Sequence, residues 1–124
     1  MPLIRYALIP LALIAAAPSP AAERVDVALS NFKFTPSTIH LKHGQQYVLH
    51  LTSSGGHSFE AKTFFAAATI APADRATITN GKIELTSTRP ADIHFTAPGK
   101  GTYPIRCTHT LHSSFGMTGK IIVD

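Results

Sequence analysis

Gly99–Val123 reads GKGTYPIRCTHTLHSSFGMTGKIIV. Two extended segments, Thr102–Cys107 and Gly119–Val123, flank a polar loop. Cys107 closes the first segment, His112 follows within the loop, and Met117 stands just before the second. One loop therefore delivers a thiolate, an imidazole and a thioether to the place where two strands meet.

Working outward from this stretch, short strand patterns recur with turn residues between them. Val25–Phe34 alternates through Val25, Val27 and Leu29, then Phe32 and Phe34, and Pro36 ends it. Thr38–Lys42 alternates through Ile39 and Leu41, and His43-Gly44-Gln45 makes a turn. Tyr47–Thr52 alternates through Tyr47, Leu49 and Leu51; Ser53–Gly56 is a loop, and His57-Ser58-Phe59 resumes extended chain. Lys82–Thr86 and Ala91–Thr96 complete the set. About eight short strands spaced by turns predict an all-β Greek-key sandwich or barrel with antiparallel pairing. One stretch departs from the pattern. Thr63–Ala68, TFFAAA, holds helix formers and no turn residue, which predicts one or two helical turns around residues 62–70, bounded by Pro72. Ala73–Gly81 then reads as a polar excursion ending in an Asn80-Gly81 turn.

The chain has 124 residues, 44% of them hydrophobic and 15% charged, enough apolar material for one core and too little charge for a disordered chain. A single cysteine excludes an intrachain disulfide framework and a CxxC zinc site. The formal charge of +4 comes from dispersed Lys and Arg, with no basic helix and no aromatic–basic interleaving, so nucleic acid is not an expected partner. Residues 1–22, MPLIRYALIPLALIAAAPSPAA, have the layout of a signal peptide: Arg5, an apolar run from Tyr6 to Ala17, then small residues at Ser19-Pro20-Ala21. The apolar run is shorter than the roughly 20 residues a membrane span needs. The expectation is a cleaved leader over 1–22, a single domain over 23–124, and a periplasmic or secreted location with no membrane span once the leader is gone.

A lone cysteine in an oxidising compartment is either buried and inert or used for chemistry. Cys107 taken alone reads as a buried thiol, and Met117 as core packing. Together with His112 at these spacings, they read as metal ligands. Thiolate and thioether are soft donors and imidazole is borderline, a combination that suits copper. Two histidines and a cysteine around a weak axial methionine is the blue-copper arrangement, so a second histidine is required. His57, after the Ser53-Ser54-Gly55-Gly56 loop, is the candidate. His109 is either an exposed loop residue or a copper-handling one. His40, His43, His50 and His94 lie on strand patterns away from the loop and are expected to face solvent or make local hydrogen bonds. Phe64 and Phe65 read as core; Leu111 and Phe115 flank His112 and read either as core or as an apolar frame around it.

The segments GGHSF and GTYPIRCTHTLHSSFGMTGKIIV, with the opening NFKFTPSTIHLKHGQQYVL, resemble the cupredoxins, the small blue-copper proteins. The resemblance covers nearly all of Val25–Asp124, Thr63–Gly81 excepted. It implies one copper ion cycling between Cu(I) and Cu(II), with His57, Cys107 and His112 as equatorial ligands and Met117 as the axial one. It implies a monomeric one-electron carrier rather than an enzyme, with a redox protein as partner. The alternative is copper storage, delivery or resistance through the same cluster, with a copper donor or acceptor as partner. A secreted sandwich without metal is the third reading. The chain departs from the family pattern in three ways, one being His109, an extra potential ligand two residues after Cys107. Thr108-His109-Thr110-Leu111 stands where many members have Pro and Gly, and Ser58 stands where Asn is common after the upstream histidine.

Overall fold

The computed structural model describes residues 2–4, 7, 9–13 and 21–124. Half of the expected leader, including Arg5 and residues 14–20, therefore lies outside the described residues. No described helix is long and apolar enough to cross a membrane.

The described residues form ten strands: β1 (Glu23–Ser30), β2 (Lys33–Thr35), β3 (Thr38–Leu41), β4 (Gln46–Ser53), β5 (His57–Glu60), β6 (Thr69–Ile70), β7 (Lys82–Leu85), β8 (Ala91–Thr96), β9 (Gly101–Arg106) and β10 (Thr118–Val123). A short helix, α1 (Lys62–Ala67), and a 3-10 turn over Pro72–Thr77 lie between β5 and β7. One sheet runs β2-β1-β4-β8-β6 and the other β3-β10-β9-β5-β7. The all-β sandwich with a helical insertion is thus the observed architecture.

Period-two alternation builds the interior. Val27, Leu29, Leu49, Leu51 and Ile93 point inward from the first sheet. Ile39, Phe59, Ile83, Ile105 and Ile121 meet them from the second. Burying side chains of this size stabilises by about 1.5–3 kcal/mol each. Helix α1 has no side-chain cap and no charged residue matched to its dipole. A six-residue helix of this kind is marginal alone. It is held by Phe64, which packs edge-on to Phe95 (5.3 Å) and to Tyr103 (5.6 Å).

Two details differ from the sequence expectation. Val25–Phe34 is not one strand but the hairpin β1–β2, turning at Asn31-Phe32. Moreover, β1 pairs with β4 in parallel, as β10 does with β3, so both sheets are mixed. Parallel partners need a crossover instead of a tight turn, and here the chain changes sheets between β2 and β3. The Asn80-Gly81 turn is as expected: φ is positive at both residues (51° and 74°), and Thr79 and Lys82 exchange backbone hydrogen bonds. That is the geometry of a tight hairpin turn favouring Asn-Gly.

Register places the functional loops. Glu60 lies opposite Arg106 in the β5–β9 pair, tied by an ion pair of 2.7 Å. Continuing that antiparallel register brings Ser58 opposite Thr108. Thr118 lies opposite Arg106 in the β9–β10 pair, and one further step brings Met117 opposite Cys107. The Cys107 amide accordingly donates to the Met117 carbonyl at 3.1 Å.

Candidate metal centre

His57 opens β5, Cys107 follows β9, His112 sits in the loop, and Met117 precedes β10. His57, Cys107 and Met117 are at most 1% exposed, and His112 is half-buried. His57 Nδ1 lies 3.2 Å from His112 Nδ1. Cys107 Sγ is 3.3 Å from His112 Nδ1 and 4.0 Å from His57 Nδ1. Among the described residues this is the group of His, Cys and acidic side chains arranged closely enough to hold a metal ion. A point equidistant from the corners of a triangle with those three sides is about 2.1 Å from each, within the usual metal–nitrogen and metal–sulfur bond range of about 2.0–2.3 Å. The donor set fits copper in chemistry and in size.

Protonation is consistent with this. Burial, and then the neighbouring His112 and His109 rings, hold the His57 imidazole below its usual pKa. A neutral ring offers a lone pair to a metal.

The loop is wound tightly. The Met117 amide donates to the His112 carbonyl (3.0 Å), and the His112 amide donates to the His109 carbonyl (3.1 Å). Met117 is thereby tied to both Cys107 and His112 through its backbone, and it is fully buried. Leu111, directly before His112, takes φ = 65°, a left-handed conformation that glycine would adopt more easily.

Ser58, standing where Asn is common, makes a complete set of bonds. Its Oγ accepts the Thr108 amide (2.7 Å), pairs with Thr108 Oγ1 (2.8 Å) and lies 3.8 Å from Cys107 Sγ. Its amide donates toward the same sulfur at 3.4 Å. The two ligand loops are therefore joined here by a hydroxyl.

His43, His50 and His94 bond locally, to the Pro98 carbonyl, Asp92 and Asp74 respectively, away from the metal centre. Phe64 and Phe65 are core, whereas Leu111 and Phe115 are 59% and 62% exposed. Two neighbours of the site were not foreseen. Phe32 meets the His112 ring edge-on at 5.2 Å and carries Phe115 at 5.1 Å. Glu84 binds His109, its Oε2 lying 2.8 Å from Nε2. The break in alternation between Leu29 and Phe32 is the signal that could have placed Phe32 in a turn; nothing local marks Glu84.

The fold and this donor set define a small copper-binding β-sandwich of the cupredoxin kind. The chain belongs to the plastocyanin/azurin family of copper binding proteins, whose family model matches residues 21–124. Among solved structures it is similar to the dithionite-reduced auracyanin of Roseiflexus castenholzii (21% identity, TM-score 0.58, covering 85% of this chain and 99% of that one). It is also similar to auracyanin A, a blue copper protein of Chloroflexus aurantiacus (17%, 0.58, 84% and 100%). Oxidised plastocyanin from Dryopteris crassirhizoma matches at 21% identity and a TM-score of 0.52, over 81% of this chain and 100% of that one. Among curated protein sequences none matches.

Proposed function

We propose that the protein is a one-electron carrier holding a single copper ion between His57, Cys107 and His112, with Met117 as the weak axial donor. The observation that carries this reading is the buried triangle of two Nδ1 atoms and one Sγ. Soft and borderline donors together suit both Cu(I) and Cu(II), so bound copper supplies one electron at a time with little rearrangement. The chain's part is to hold the donors still. Strand register fixes Cys107 and Met117 opposite each other, and Ser58 fixes the His57 segment against Thr108. The Ser58 amide draws electron density from the sulfur and so favours the reduced state. Buried walls keep water away. His112 reaches the surface among Phe32, Leu111 and Phe115, an apolar rim on which a redox partner would rest while the electron passes through the ring. Four protein donors leave no position for a substrate, which makes this a carrier rather than an enzyme. Residues 1–22 act as a leader that directs the single domain 23–124 to the periplasm or exterior, where it works as a monomer. A second reading, copper storage or delivery, is favoured by one observation: a third imidazole, His109, stands beside the pair, 5.4 Å from His112.

Optical and EPR spectra of residues 23–124 titrated with Cu(II) test the reading. An intense thiolate-to-copper band with narrow hyperfine splitting, lost in Cys107→Ala, is the expected outcome. A weak band with tight Cu(I) binding would favour delivery instead. Absence of copper binding would overturn both.

A further inference from the structure

The mouth of the metal centre has two unlike walls. One is apolar: Phe32 meets the edge of His112 and carries Phe115. The second wall is His109, its ring centroid 5.4 Å from His112 and 6.3 Å from His57. Its Nε2 is 2.8 Å from Glu84 Oε2, while Glu84 Oε1 faces Lys82 Nζ at 3.5 Å. The His109 and Glu84 side chains are 33% and 53% exposed. Behind them, His57, Cys107 and Met117 are sealed from solvent.

We propose that His109 and Glu84 form an intake site that captures a copper cation at the surface and passes it to His57, Cys107 and His112. This rests on the copper-binding reading above. A hydrated cation cannot enter the buried triangle bare, because stripping an ion of water costs several kcal/mol or more when nothing replaces it. The shell has to be exchanged donor by donor. The Phe32–Phe115 wall offers no donor. The His109 wall offers an imidazole and a carboxylate side by side, both competent toward copper. His109 also shares its loop with the final donors, two residues after Cys107 and three before His112, so one backbone carries the ion's first and last contacts. The transfer is a ligand exchange: the ion keeps its oxidation state, the His109 and Glu84 contacts break as those to His57, Cys107 and His112 form, and the Cys107 thiol proton leaves to water.

The test mixes metal-free protein with the Cu(II)–glycine complex in a stopped-flow instrument. Growth of the thiolate band is followed, and copper per chain is counted by mass spectrometry at fixed times. His109→Ala is expected to load roughly tenfold more slowly, and Glu84→Gln to load more slowly by a smaller factor. Both are expected to reach one copper per chain with the wild-type band. An unchanged loading rate in His109→Ala would overturn the intake site, with the copper reading intact because the band still forms. Loss of the band at equilibrium in that variant would also overturn it, by making His109 a resident ligand. A wild-type chain that takes up no copper would overturn the underlying reading instead.

Discussion

Ser58 Oγ accepts the backbone amide of Thr108 at 2.7 Å, across two loops separated by 50 residues. The hydroxyl is fully buried, and where the Thr108 hydroxyl donates to it, its own hydrogen is free to point at Cys107 Sγ. Ser58→Ala removes that acceptor and strands a buried amide. It is expected to destabilise the metal-free fold by about 1–3 kcal/mol in urea unfolding. The reduction potential of the copper form should fall, because one donor toward the sulfur is lost. A potential unchanged from wild type would show that the hydroxyl does not act on the sulfur.

Met117→Leu replaces a thioether with an apolar side chain of similar volume. Such exchanges cost less than about 1.5 kcal/mol when the packing is conserved. Copper is expected to remain bound with a raised reduction potential if Met117 is the axial donor proposed above, since that donor to Cu(II) has then gone. Voltammetry of the two proteins checks this; equal potentials would remove Met117 from the ligand set.

Asp74 joins the 3-10 turn to β8 by accepting the His94 amide (2.8 Å) and pairing with His94 Nδ1 (2.9 Å). The His94 backbone bond, more than the ring, holds its pKa below the ordinary 3.8. A carboxylate lowered in the folded state stabilises above its unfolded pKa, and that contribution is lost as pH falls through the folded value. Asp74→Asn should therefore be less stable than wild type near neutrality by about 1 kcal/mol. The two proteins should converge in strongly acidic solution. Thermal melts across that range are the measurement, and a difference independent of pH would contradict it.

Leu111 gains little from its side chain, which is 59% exposed, and carries a left-handed backbone. That conformation costs an ordinary L-residue about 1–2 kcal/mol. Glycine removes the cost but loses about 0.5–1 kcal/mol in chain entropy. Leu111→Gly is expected to raise stability by a few tenths of a kcal/mol, visible as a higher urea midpoint with an unchanged copper spectrum.

Phe64 is the anchor of α1. Truncating a fully buried Phe to Ala costs about 3–5 kcal/mol. Phe64→Ala should unfold at markedly lower urea, while Phe64→Leu retains most of the stability.

Much of this was legible in the sequence, for identifiable reasons. Alternation at Tyr47, Leu49 and Leu51 marked β4, because a half-buried strand has period two. That Cys107, His112 and Met117 share one loop was legible from their spacing, and the structure brings Cys107 and His112 together. His57 was legible only through the need for a fourth donor. The parallel pairings β1–β4 and β3–β10 were not legible, since neither is joined by a tight turn and alternation fixes a face, not a neighbour. Phe32 was absorbed into a strand because an aromatic residue rarely signals a turn. Glu84 was invisible for a similar reason: alternation says that it points outward from β7, and only the pairing of β5 with β7 sets it beside His109.

The position of β10 has a temporal consequence. It follows every other described strand, yet it lies inside its sheet, hydrogen-bonded to β3 on one side and β9 on the other. Until residue 123 has been added, β3 has no partner and the loop carrying His112 and Met117 has no far anchor. A growing chain therefore has an open edge at β9 and no closed arrangement around Cys107. The arrangement of His57, Cys107 and His112 seen in the fold therefore forms only after β10 has docked between β3 and β9.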